Sequence, residues 1–466
     1  MNAQHANSDG HATADAVARR SYGKLVAFLA ARTHDVAAAE DALSEAFAAA
    51  LADWPANGTP SNPEAWLLTV ARRKLIDASR RHATADAASP ELQLIAEHAQ
   101  REASDAHEPA VSLAPPPNCA RGSARGNAGA LASRDEIPDR RLALMFACAH
   151  PAIDASVRAP LILQTLLGLN ADRIASAFLV APASMGKRLV RAKEKIRVAH
   201  IPLEIPPRED LPARLGAVLD ATYAAFTEGW SDPAGGDALR SDLTGEALYL
   251  SRLVAELLRD EPEALGLLAL LLFAHSRQAA RRNARGEYVP FAEQDTALWD
   301  AAAIAEANAL LSRAASLGCI GRYQLEAAVQ SAHAHRRITG ADNWADVVAL
   351  YGALFALTAS PVVAINRALA VAEVEGAQAG LAALPDPARD ARLETYQPYW
   401  AARADLLSRV GTRRADAAST FGDQGADDEA RRVALNDARR AYDIAIGLER
   451  DPAVRAFLLA RQRQLP

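Results

Sequence analysis

Residues 171–198 read ADRIASAFLVAPASMGKRLVRAKEKIRV, and the pattern within them decides how the rest of the chain is organised. Ala171–Leu179 places Ile174, Ala175 and Phe178 on one face of a short helix, with the small Ala175 where a crossing helix can approach closely. Val180-Ala181-Pro182 breaks it. A second helix opens at Ala183 and continues past Arg197, with Met185, Leu189 and Ile196 as its buried stripe. Its opposite face carries Lys187, Arg188, Arg191, Lys193, Lys195 and Arg197. Two short helices joined by a tight turn, the second rich in donors, match the unit whose second helix enters a DNA major groove. Cationic side chains there can donate to guanine edges or to phosphates, and the helix N-terminus, with Ser184 in its first turn, also favours phosphate. A solvated cationic helix in an ordinary helical hairpin is the plainer account. Spacing, turn and charge together favour DNA.

The charge around this unit is unevenly distributed. The protein has 466 residues and a net charge of −6. Residues 140–200 nevertheless hold ten basic and three acidic side chains, whereas 82–139 hold four and nine. One basic segment inside an acidic chain is the electrostatic footprint of a phosphate-backbone binder. Alanine is abundant and β-branched runs are scarce, which favours helix throughout and predicts an all-α protein.

Four zones follow. Residues 15–81 form a compact helical unit, in which Asp35–Trp54 (DVAAAEDALSEAFAAALADW) places Val36, Leu43, Phe47, Leu51 and Trp54 on one helical face and Pro55 ends the helix. Asn62 then caps a helix with Pro63 at its first position and Glu64 in its first turn, ending near Arg81 in a cationic cluster. Residues 82–139 form an acidic linker, with one helix conceivable over 90–108 and a stretch rich in Pro, Gly, Ala and Ser from Pro109 to Ser133. Residues 140–200 form three or four short helices. Residues 201–466 read as helical throughout, in amphipathic pairs, with a loop at 232–237 and a charged insertion at 413–430.

Ala438, Tyr442 and Ala445, followed by Asp451-Pro452, fit the second helix of a tetratricopeptide-like hairpin, and Leu407 and Gly411 fit the end of its first. The pairs 246–258 with 262–283 and 361–374 with 377–384 are more degenerate versions. Stacked hairpins make concave surfaces that hold peptides or partner helices, although a purely stabilising role is also open.

Other chemistry is sparse. Cys119, Cys148 and Cys319 are far apart, which argues against a disulfide framework or zinc ribbon and fits a reducing cytoplasm. The polar N-terminus shows no secretory signal, and the apolar run Leu265–Ala274 is too short to span a bilayer, so no membrane association is expected. The Gly-rich RGSARGNAG at 121–129 has no preceding strand to make it a phosphate loop. Cys148 with His150 and His333 with His335 are each too few for a metal site. No enzyme, metal or cofactor is expected.

The order DALSEAFAAALADW, SNPEAWLLTVARRKLIDASRR and a helix-turn-helix ending KRLVRAKEKI resembles the extracytoplasmic-function sigma factors of the sigma-70 family. MFACAHPAI, YAAFTEGW, EQDTALWD, LEAAVQSAHAHRR, PVVAINRALAVAEVEG and YWAARADLLSRVG resemble the subgroup with a C-terminal tetratricopeptide-like extension. The resemblance implies a chain that docks on core RNA polymerase and holds promoter DNA. Residues 15–81 would take the minus-ten element, 140–200 the minus-thirty-five element, and 201–466 would regulate, by binding a protein or small molecule. It implies that Asp41, Ser44 and Glu45 face polymerase, with Ser44 standing where the family usually has Gln. It implies that Asn57, Asn62 and Trp66 meet an unpaired base while Arg72, Arg73, Lys74, Arg80 and Arg81 hold its backbone. Ser184, Lys187, Arg188, Arg191, Lys193 and Lys195 would read the duplex. The acidic linker would lie in the polymerase cleft. The alternatives are a helix-turn-helix regulator that never joins polymerase, a repeat scaffold without DNA binding, and a hydrolase using the His and Cys residues.

Overall fold

The computed structural model describes residues 2–87, 139–178, 180–230, 238–412 and 424–466. The expected linker helix at 90–108, the stretch 109–133 with its Gly-rich segment and Cys119, Leu179, the loop 232–237 and residues 413–423 of the insertion lie outside the described residues. The fold is all-α, with no β-strand among the described residues. The chain divides into two compact units, residues 1–225 and 226–466.

The first unit begins with α1 (Asn2–Thr33), α2 (Val36–Asn57) and α3 (Pro63–Ala87). Asp35 caps α2 by accepting from the Ala38 N–H at 3.0 Å, and Asn62 caps α3 by accepting from the Ala65 N–H at 3.1 Å. The buried face of α2 runs through Val36, Ala39, Leu43, Ala46, Ala50 and Trp54. Leu51 was expected on that face but is 45% exposed, because it lies about 100° round the helix from Ala50, where the stripe actually passes. Phe47 is only partly buried. Pro55 does not end the helix. It sits within the last turn, and the chain turns out at Gly58, whose N–H donates to the Trp54 carbonyl and whose φ of 86° suits glycine. Helix α3 also runs beyond Arg81, to Ala87.

Four helices follow in the same unit: α4 (Arg141–Cys148), α5 (Ala155–Leu167), α6 (Ala171–Ala177) and α7 (Pro182–Val198). Their shared core contains Phe146, Leu161, Ile162, Ile174, Met185, Leu189 and Ile196. Gly23 of α1 lies directly on α5, since a Cβ there would fall 2.2 Å from the Leu166 carbonyl oxygen. The two helical groups of this unit therefore pack on each other rather than standing apart.

The second unit contains α9 (Ala238–Leu257), α10 (Pro262–His275), α11 (Ala301–Ser316), α12 (Arg322–Thr339) and α13 (Trp344–Thr358). It continues through α14 (Pro361–Glu375), α15 (Ala377–Ala383), α16 (Gln397–Thr412), α17 (Gln424–Leu448) and α18 (Pro452–Arg463). A further helix, α8 (Pro212–Trp230), spans the residues at which the units divide. Helix α10 contains Leu265–Ala274 and is buried around most of its circumference, as a short apolar run should be. The expectation of helix to residue 283 fails at His275. Residues 276–300 form short 3₁₀ turns and one isolated bridge, Arg282 to Tyr288, with Gly286 and Pro290 interrupting the backbone. Residues 201–466 are thus not helical throughout. Part of the expected loop insertion at 413–430 is instead helical, because α17 begins at Gln424.

Helix α16 packs on α17 through Ala404, Leu407, Ala438, Ala441, Tyr442 and Ala445. Gly411 permits the approach, since a Cβ there would meet Leu435 Cγ at 2.6 Å.

Candidate nucleic-acid interface

Helices α6 and α7 are joined by the short segment 178–181, and Pro182 opens α7 at a position that needs no N–H donor. Asn170 caps α6 by accepting from the Arg173 N–H at 2.9 Å. Met185, Leu189, Ala192 and Ile196 are buried, which turns the other side of α7 outward. Lys187, Arg188, Arg191 and Lys195 are exposed there, and Ser184 is partly exposed in the first turn. Lys187, Arg191 and Lys195 follow one another at four-residue steps and so form one stripe. Val190 lies between them, 68% exposed, an apolar group the sequence reading passed over. Arg197 is tied to Glu194 at 2.5 Å.

Lys193 corrects the sequence reading. It is not on the exposed face: its ammonium forms an ion pair with Glu40 of α2, the two side chains being 13% and 10% exposed. Burial holds the Glu40 carboxyl above the usual range, the Lys193 charge opposes that, and Asp41 adds to it. Glu40 Oε2 takes the lysine while Oε1 is buried without a hydrogen-bond partner. Glu40 carried no signal in the sequence beyond being one more acidic residue on α2.

On the other group of helices, Asp41, Ser44 and Glu45 are exposed on α2. Glu45 is paired with Lys74 of α3 at 2.9 Å, so a residue expected to meet protein and one expected to meet DNA neutralise each other here. Asn57 donates to Asp53 Oδ1 at 2.7 Å, and Asn62 Oδ1 is engaged in its capping bond. Trp66 is half-buried, its ring edge-on to the fully buried Trp54 at 5.4 Å, so it is anchored on one side and accessible on the other. Arg72 lies over the Phe28 ring at 5.1 Å, and Arg72, Arg73 and Arg80 are exposed. Arg81 is within α3, but its side chain lies outside the described residues. Asn57, Asn62 and Trp66 thus cluster around the α2–α3 turn, while the arginines run along α3 away from it.

Among the described residues no group of three or more His, Cys, Asp or Glu side chains could hold a metal. Burial pushes the Cys148 thiol up to about 12, against the lowering effect of its contact with the Thr165 hydroxyl, and leaves it unreactive. No described helix is long and apolar enough to cross a membrane.

Residues 17–84, which contain most of α1 together with α2 and nearly all of α3, match sigma-70 region 2. The chain therefore carries a sigma-70 region 2 domain, which supports a sigma-70 family factor. It belongs to the same family as an uncharacterized protein of Rhizobium meliloti (strain 1021), to which it is 38% identical over 404 residues, 87% of this chain and 88% of that one. Residues 214–315 match a family of unknown function, DUF6596. No solved structure matches the chain.

Proposed function

We propose that this chain is an alternative sigma factor of the extracytoplasmic-function type, which binds core RNA polymerase and directs initiation at a particular set of promoters. The observation that carries the reading is a sigma-70 region 2 domain in one compact unit with an exposed cationic helix, α7. Asp41, Ser44 and Glu45 offer polar contacts to polymerase. Trp66, Asn57 and Asn62 sit where a flipped base can stack and bond, and Arg72, Arg73, Arg80 and Arg81 follow its phosphates. Ser184, Lys187, Arg188, Arg191 and Lys195 contact the minus-thirty-five duplex. In this reading the second unit is a tetratricopeptide-like regulatory domain, supported by the small-residue packing of α16 on α17. The chain performs no chemistry of its own.

Transcription in vitro with purified core polymerase over a promoter library tests this directly. The expected result is initiation from a defined promoter class only when the chain is present. Doubly charge-reversed protein, Lys187→Glu with Arg191→Glu, should lose most of it, and the salt dependence of duplex binding should flatten by roughly two counterions. Binding of duplex with no initiation would favour instead a helix-turn-helix regulator that acts without polymerase. Full initiation by the charge-reversed protein would remove α7 from the mechanism.

A further inference from the structure

The second unit holds a stack of cations and rings that the α-helical packing does not require. Arg277 lies over the Phe291 ring at 4.8 Å, and Phe291 meets the His333 ring at 5.6 Å. His333 in turn meets Trp344 at 5.7 Å, and the Arg336 guanidinium lies over Trp344 at 4.1 Å. These residues come from the 276–300 segment, α12 and α13. Beside the stack, at the α12–α13 corner, is a hollow of about 360 Å³ lined by Arg336, Arg337, Asp342, Trp344 and the backbone of 340–341.

The arginines here are unusual in their partners. Arg277 donates to the Phe273 carbonyl and to Gln330, and Arg337 donates to the Gln294 carbonyl at 2.7 Å. None of Arg277, Arg336 and Arg337 is paired with a carboxylate among the described residues, although arginines elsewhere in the unit commonly are. The Nε atoms of Arg336 and Arg337 and the Nδ1 of His333 are buried without a hydrogen-bond partner. Buried cationic groups are ordinarily paired, because desolvation is costly otherwise. The last turn of α12 favours cations through the helix dipole, which accounts for the sign of Arg336 and Arg337 but not for their missing partners.

We infer that the hollow at the α12–α13 corner binds a small anion carrying a phosphate or carboxylate group. Stacking on Trp344 fixes the plane of the Arg336 guanidinium, which leaves its in-plane N–H groups as a fork matched to two anionic oxygens. Arg337 flanks it, and Arg277 supplies positive potential behind the ring. Asp342, on the exposed rim, faces whatever neutral or cationic part the ligand has. The inference concerns the second unit alone and does not depend on the reading of the first.

The test uses the full chain, with inorganic phosphate and citrate as separate probes in calorimetric titration and thermal unfolding. The expected result is saturable binding of at least one, phosphate and citrate telling which chemistry the site prefers. Arg336→Gln should weaken that binding by about tenfold or more, and Arg336→Lys should recover only part of it. Arg463→Gln, an equal loss of charge on α18, should leave it unchanged. A circular dichroism melt of Arg336→Gln that matches the parent's excludes loss of fold as the cause, and Arg336→Lys, which keeps the charge, decides the matter if the glutamine variant melts early. Absence of saturable binding of either probe, or equal losses in Arg336→Gln and Arg463→Gln, overturns the proposal. So does an Arg336→Gln effect confined to duplex DNA affinity, which would make the arginines a nucleic-acid contact.

Discussion

Lys193 and Glu40 show how much one residue's role depends on what packs against it. Lys193 stands among five other cations on α7, yet it alone turns inward to a carboxylate. Replacing it with Met strands the Glu40 charge in a nearly water-free setting, and the cost of breaking such a pair is about 3 kcal/mol. Adding Glu40→Leu should restore most of the loss, since a well-packed apolar pair carries no desolvation penalty. Urea unfolding of the two variants checks this, and a single variant as stable as the parent would show that the pair does not form. His333 gives a residue-scale pH dependence. Burial, then Arg336 and Arg277, push its imidazole down to about 4 from an ordinary 6.5. Between those values the unfolded chain binds a proton that the folded one refuses. Stability of the second unit should therefore fall as the pH drops from 6.5 towards 4, by up to roughly 3 kcal/mol, and level off below. His333→Gln should abolish that slope; a slope unchanged by the substitution would assign it to other groups.

At the scale of elements, α1 lies directly against the backbone of α5 at Gly23. Alanine is the better helix former by about 1 kcal/mol, so Gly23→Ala would stabilise an isolated α1. Here its methyl would meet backbone, which cannot move aside as a side chain can, and overpacking of this kind costs about 1–3 kcal/mol. We expect a net loss in the thermal midpoint of the first unit. A gain would mean that α1 and α5 do not touch as described. The elements were also where sequence reading succeeded best. The helix start at Asn62 and the stripe Met185, Leu189, Ile196 were legible because caps and helical periodicity are local. Helix ends were less so. Pro55 and residues 276–283 misled because a proline in a last turn costs little and a polar, Gly- and Pro-interrupted segment can still be amphipathic over short windows.

At the scale of the molecule, the Glu40–Lys193 contact sets α7 beside α2 within one unit. Promoter elements named minus ten and minus thirty-five lie on the order of 85 Å apart along B-form DNA, at about 3.4 Å per base pair. If the two helices hold those two elements, they cannot do so while in contact. Probes on Asp53 and Arg188 should therefore be close in the free chain and separate by tens of Å, roughly, once polymerase and promoter bind. A separation unchanged by polymerase and promoter would mean that α2 and α7 do not hold the two elements at once.

The sequence alone determined that this is an all-α chain, that a helix begins at Asn62, that 140–200 is its basic segment, and that its N-terminal motifs resemble those of a sigma factor. Those are properties of near neighbours, and helices are built from near neighbours. Only the tertiary structure decided that Lys193 is spent on Glu40, that Leu51 faces water, and that Arg277, Phe291, His333, Trp344 and Arg336 form one stack. Which side chains meet across helices depends on how their surfaces interlock, and that geometry leaves no periodic trace in any one segment.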